Sequence, residues 1–206
     1  MNEIHSSAND RLEEEEEKDD KPANKPPENL DTKLLESRTI LVEGVVNDRM
    51  YRAVCSRLLY LEHKDPTKEV VVVVNSPGGS ADSGMGMYDM LNLIACPVTT
   101  LCAGLCASAG VLIFLGGRKG RRFATPNSRF LLHQPSTQAT GQASDMEITA
   151  REIIRMRQRY ADIVGIETGK LAKTVLEGSN RDFWLNADEC LEYGLIDRIV
   201  KRRSEL

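Results

Sequence analysis

Five consecutive valines, Val70 to Val74, stand between Glu69 and Asn75. A run branched at every Cβ favours extended backbone. With no polar alternation, neither face of that strand is built to meet water. It belongs inside a parallel sheet with helices packed on both faces. Ser76-Pro77-Gly78-Gly79-Ser80 then turns the chain, and a helix is expected from Ser83 to Ile94.

The same alternation recurs on either side. Thr39 to Gly44 reads as a strand. Asp48 to His63 reads as an amphipathic helix with Met50, Val54, Leu58 and Leu61 on one face. Pro97 to Cys102 is the next strand, leading to Ser108 and the apolar stretch Val111 to Leu115. Arg122 to Thr125 and Phe130 to His133 give two short strands around Pro126-Asn127-Ser128. A long helix follows from about Ser144 to Val164, with Met146, Ile153, Met156, Tyr160 and Ile163 forming its apolar face, and a shorter one near Lys170 to Leu176. Asn186 caps a helix from Ala187 to Tyr193, Gly194 ends it, and Leu195 to Val200 closes the chain as a strand. Repeated strand-then-helix units with right-handed crossovers mean an α/β fold. The 206 residues suit a single domain with a full core.

Charge divides the chain in two. The first thirty residues hold ten acids, among them Glu13 to Glu17, against four bases. That excess outweighs the net charge of −4 for the whole chain, so the remainder is slightly basic and near neutral. Residues 1–32 also carry Pro22, Pro26 and Pro27 and little apolar bulk. Such a segment cannot offset its own ordering entropy and is expected to be a disordered acidic tail, with the folded domain at 33–206. A near-neutral body implies no nucleic-acid or membrane-surface partner.

The acidic start lacks the apolar core of a secretory leader, and no apolar run is long enough to span a bilayer. Five cysteines (Cys55, Cys96, Cys102, Cys106 and Cys190) lack metal-ligand spacing. They read as buried structural thiols in a reducing cytoplasm.

Chemistry concentrates around Ser108. Gly104-Leu105-Cys106-Ala107-Ser108-Ala109-Gly110 places a hydroxyl among small residues at the start of an apolar helix. Helix N-termini present free N–H groups and partial positive charge, which suits a developing oxyanion. A serine needs a base to take its proton, and histidine is the usual one. Of the three histidines, His5 lies in the tail and His63 ends a solvated helix. His133 ends a buried strand, where a lone imidazole is more often a satisfied core residue; only its combination with Ser108 raises its interest.

A carboxylate normally orients such a histidine. Spacing alone selects none of the thirteen aspartates. Asp182 draws attention because it enters Phe183-Trp184, where an unpaired carboxylate is costly, and a turn or capping acid is the plain alternative. Gly78 and Gly79 let backbone N–H groups face a cavity and, with Ala109 N–H, form an oxyanion hole. As an isolated motif, Pro-Gly-Gly is a common turn.

Taken in order, Asn75-Ser76-Pro77-Gly78-Gly79, Ala107-Ser108-Ala109-Gly110, Arg122 to Arg129, His133-Gln134-Pro135, Gly141-Gln142-Ala143, Ala150 to Ile153, Arg181-Asp182 and Glu192 to Asp197 resemble the proteolytic subunit of the Clp protease over roughly Lys33 to Val200. The resemblance implies a crotonase-like α/β fold. It implies a serine endopeptidase, with Ser108 as nucleophile, His133 as base, Asp182 as orienting acid, and Gly79 and Ala109 N–H groups in the oxyanion hole. It further implies two stacked heptamers joined through the long helix and Arg181. An AAA+ Clp ATPase feeds unfolded polypeptide into their chamber, and no metal or cofactor takes part.

The chain departs from the family pattern at four places. Ala109 stands where methionine is usual, Thr137-Gln138 replaces a Gly-Gly pair, and Val71 and Val73 replace tyrosines linked to ATPase docking. The acidic tail replaces the axial-loop segment. The alternative readings are a divergent structural or regulatory ring subunit, in a barrel mixed with a second Clp proteolytic subunit, and a crotonase-fold enzyme acting on a coenzyme A thioester.

Overall fold

The structure is a computed structural model describing residues 29–136, 138 and 140–206. The acidic segment 1–28 and Thr137 lie outside the described residues. Helix α1 (Leu30–Glu36) begins ahead of the expected domain boundary at residue 33, with the Asn29 side chain accepting from Asp31 N–H. It leads to β1 (Thr39–Val46), α2 (Asp48–Lys64) and β2 (Val70–Gly79), which contains the valine run. Next come α3 (Ala81–Leu93), β3 (Val98–Ala107), α4 (Ala109–Leu115), β4 (Arg122–Ala124) and β5 (Arg129–Leu132). The chain ends with α5 (Ala143–Thr168), α6 (Ala172–Gly178), β6 (Phe183–Asn186), α7 (Ala187–Tyr193) and β7 (Arg198–Ile199).

The strands form one seven-stranded sheet ordered β1-β2-β3-β4-β7, with β5 beside β3 and β6 beside β5. Every pairing is parallel except β5–β6. Val70, Val72 and Val74 are fully buried, and Val71 and Val73 are half-buried on the other face. The α/β architecture of repeated strand–helix units is the one expected.

Strand β3 is longer than the expected Pro97 to Cys102, for a local reason. Its first half pairs Thr100 to Cys102 with β4, and its second half pairs Leu105 to Ala107 with β5. Between them β3 bulges: Val74 faces Cys102, yet Ser76 faces Cys106. Gly104, at φ 118°, forms the bulge, and a Cβ there would lie 2.8 Å from Asn75 Oδ1. Leu105 N–H donates to Asn75 Oδ1 at 3.1 Å, and Ser128 Oγ donates to Cys102 O at 2.8 Å. The backbone groups freed by the bulge are thereby satisfied. One strand thus changes partner just before Ser108.

Helix α4 is buried throughout, which explains its unbroken apolar sequence. Around its C-terminal end, buried Arg122 pairs with Glu167 and donates to Leu115 O at 2.8 Å and Gly117 O at 2.7 Å. Tyr88 donates to Glu167 at 2.6 Å, tying α3 to the same network. A buried ion pair is tolerable only with such complete hydrogen bonding.

In α5 only the second half meets the core, through Tyr160, Ala161, Val164 and Gly165. Met146, expected on the buried face, is exposed, as are Ile148 and Ile154, because the first half of the helix extends past the core of its own chain. The terminal strand is shorter than expected, since only Arg198 and Ile199 pair with β4. No helix among the described residues is long and apolar enough to cross a membrane.

Candidate active site

Ser108 is the hinge between β3 and α4. Its φ of 54° and ψ of −122° lie outside the regions open to ordinary side chains. Strain of this kind persists only where the surroundings over-determine it. Here Ser108 N–H donates to Leu131 O at 2.9 Å, and Val111 N–H donates to Ser108 O at 3.0 Å. The hydroxyl does not cap its own helix and is left for other work.

The cradle opposite explains the Pro-Gly-Gly turn. Gly78 sits at φ 88°, and a Cβ on it would come within 2.6 Å of Ala107 O and 2.7 Å of Ser108 Cβ. A Cβ on Gly79, at φ 148°, would overlap Val46 O. Only glycine fits either position. Ser76 sets the turn by donating to Gly44 O at 2.6 Å and accepting from Gly78 N–H at 3.1 Å. On the helix side, Gly84 of α3 lets Ala109 approach, since a Cβ there would stand 2.9 Å from Ala109 Cβ.

His133 follows directly on β5. The antiparallel register sets Leu132 opposite Phe183. The residue after Leu132 is therefore brought beside the residue before Phe183. His133 Nδ1 lies 3.4 Å from Asp182 Oδ1, with 33% of the histidine side chain and 64% of the carboxylate side chain exposed. Gln134 holds this segment by donating from its backbone to Ser179 O at 3.0 Å and from Nε2 to Asn180 O at 3.1 Å. Arg181 is exposed and shares a second, more open hollow with His133 and Asp182.

Ser108, His133, Gly79 and Ala109 line one cavity of about 410 Å³, completed by side chains such as Met85, Leu112, Met156 and Tyr160. Ser108 and His133 face this space without a direct hydrogen bond, as is common before a substrate draws such groups together. Asp182 reaches His133 from the far side. Burial pushes the Cys106 and Cys190 thiols upward, so neither is a thiolate nucleophile. All five cysteines are free and buried. Among the described residues no cluster could hold a metal ion.

Comparison with known proteins matches this architecture. A family model described as Clp protease covers residues 25–203. A point mutant of ClpP1 from Listeria monocytogenes has the same fold, with a TM-score of 0.79 and 34% identity over 85% of this chain and 98% of that one. The chain belongs to the Clp protease family. It is a peptidase-family protein with the Clp proteolytic-subunit fold.

Within that family fold, two features of the site were not legible as functional beforehand. Gly78 reads in the sequence as a residue that frees backbone N–H groups; that it also abuts Ala107 O and Ser108 Cβ, and so shapes the cradle, shows only in the fold. Tyr160 reads as one member of an apolar helix face, and its place on the cavity wall depends on how α5 crosses α4.

Proposed function

We propose that this chain is a serine-type endopeptidase subunit of an ATP-dependent Clp protease. Ser108 attacks the carbonyl of a peptide bond while His133 takes its proton. Asp182, on the other imidazole nitrogen, holds the productive tautomer and steadies the imidazolium. The tetrahedral oxyanion is received by the Gly79 and Ala109 N–H groups, each such donor contributing about 3 kcal/mol in the transition state. His133 then protonates the leaving amine, and water releases the acyl group from Ser108. The observation that carries this reading is the shared cavity of Ser108 and His133 with Asp182 at 3.4 Å behind the imidazole.

The working form is two stacked heptamers, homomeric or mixed with a second Clp proteolytic subunit, in the cytoplasm. The exposed apolar residues of α5 (Met146, Ile148, Ile154) and exposed Arg181 offer ring-joining surface. An AAA+ Clp ATPase delivers unfolded polypeptide. An apolar hollow of about 230 Å³ lined by Val71, Val73 and Leu101 suits docking of an apolar loop from that partner. No cofactor enters the reaction.

The test is fluorophosphonate labelling of the purified protein, with native mass read alongside. Wild type is expected to label on Ser108, and Ser108→Ala is expected to lose the label completely. A fourteen-subunit wild type that does not label would sink the catalytic reading and favour a structural ring subunit.

A further inference from the structure

The hollow beside β2 has a charged rim that the proposed function does not use. Its floor is apolar, formed by Val71, Val73 and Leu101 on the half-buried face of the sheet. Its rim is basic, because Lys201, Arg202 and Arg203 line it and all three are exposed. Among the described residues no acidic side chain lines it. The carboxylates around it are engaged elsewhere: Glu205 accepts from Lys201 N–H at 3.0 Å, and Glu69 pairs with Arg121. The basic segment is also fixed in place. Arg203 donates to Thr39 Oγ1 at 3.4 Å, and Arg198 donates to Glu205 O.

The complementary pattern stands in the chain's own first residues. Residues 1–28 hold ten acids against four bases. Within them Leu12 is followed at once by Glu13 to Glu17, one branched apolar side chain and then five carboxylates. We propose that the segment Leu12 to Glu17 docks on this hollow, with Leu12 on the apolar floor and the glutamates along the Lys201–Arg203 rim.

The connection is long enough. Between Leu12 and Asn29, where α1 begins, an extended chain spans up to about 55 Å, and a relaxed one about 20 Å. Helix α1 is about 10 Å long, and it leads directly to Thr39, which lines the hollow. Each exposed charge pair is weak by itself. Docking within one chain draws on a high effective concentration, so several weak pairs and one apolar side chain suffice. A partner that inserts an apolar loop in the hollow, as proposed above for the ATPase, has first to displace this segment. That consequence rests on the Clp reading; the docking itself does not.

The test is an aliphatic diazirine amino acid placed at position 12 of the full chain, photolysed at low salt and mapped by peptide mass. Crosslinks are expected within one chain, on the peptides that carry Val71 and Val73, Leu101, or Val200 to Arg203. Salt at about 1 M, where the Debye length is about 3 Å, is expected to cut their yield about tenfold. Combined Lys201→Glu, Arg202→Glu and Arg203→Glu should do the same at low salt. Changing Glu13 to Glu17 to lysine in that variant should restore the yield, which separates lost charge pairing from lost folding. Crosslinks on another surface, or none, overturn the proposal and leave the hollow open to a partner. Crosslinks between chains overturn it in favour of a second copy, and a yield indifferent to both salt and charge reversal overturns the pairing. Fluorophosphonate labelling of the same samples keeps the two readings apart, since its failure sinks the peptidase and leaves the docking standing.

Discussion

The two halves of the candidate site are built to different tolerances. The nucleophile half lies where β2 and β3 run side by side in the sheet interior, and backbone sets its geometry. Ser76 fixes Gly78, Gly78 abuts Ser108, and Ser108 is held at a positive φ from both sides. The acid–base half lies where β5 meets β6 in the sheet's one antiparallel pairing, and two partly exposed side chains meet there at 3.4 Å. A nucleophile and its oxyanion donors must be correct to fractions of an ångström, which packed backbone can supply. An orienting carboxylate acts through an imidazole and tolerates more slack. The candidate site is rigid where the proposed bond changes would occur and looser one step back.

Two substitutions test that contrast most directly. Gly78→Ala puts a methyl group against the Ala107 carbonyl and Ser108 Cβ, neither of which can swing away. Displacing the nucleophile by even about 1 Å costs on the order of a hundredfold in rate. Fluorophosphonate labelling is expected to fall by at least that factor. Gly120→Ala is the matched control, since Gly120 has φ 85° with nothing within 4 Å of the added Cβ. Both variants are expected to lose about 1 kcal/mol from backbone strain, but only Gly78→Ala should lose reactivity. Equal labelling of the two would mean that the cradle yields and the contrast is wrong.

On the looser side, Asp182→Asn is expected to slow labelling by roughly tenfold to a hundredfold. The charge pair that arises when His133 takes the serine proton would be partly exposed, and such a pair is weakened by solvent and by salt. Wild-type labelling should therefore decline as ionic strength rises, and the Asp182→Asn variant should respond much less. A loss nearer ~10⁴-fold, the scale of a sealed triad, with no salt dependence would show that the carboxylate is enclosed in the working form.

The same division governs what could be read from the chain beforehand. The valine run, the amphipathic α2 and the Asn186–Gly194 helix follow from local pattern, and each formed where expected. Ser108 and the glycine pair are also local, being small residues at the mouth of an apolar run. The bulge at Gly104 was hidden, because it depends on Asn75 and Ser128 arriving from distant strands to satisfy its backbone. The pairing of Asp182 with His133 was hidden for the same reason. Residue spacing left thirteen aspartates open; the aromatic neighbours of Asp182 drew attention to it, but without the family resemblance only the β5–β6 register sets it beside His133. The burial expected for Met146 failed because periodicity reports an apolar stripe and not what covers it.

The smallest expected effect probes how the carboxylate's strand is held. Directly after β6, Asn186 and Glu189 form a reciprocal capping box. Glu189 N–H donates to Asn186 Oδ1 at 3.0 Å, and Asn186 N–H donates to the Glu189 carboxylate at 2.7 Å. The box starts α7, whose far end is closed by Gly194 at φ 90°. It therefore anchors the end of β6 remote from Asp182. Asn186→Ala should cost about 1 kcal/mol of stability, the usual loss for a cap, seen as a modest drop in Tm. Labelling of Ser108 should stay within about twofold, because Gln134 still ties the His133 segment to Ser179 and Asn180. A large loss of labelling with that small loss of stability would show that the acid–base half depends on fine strand placement after all, and would make the two halves equally exacting.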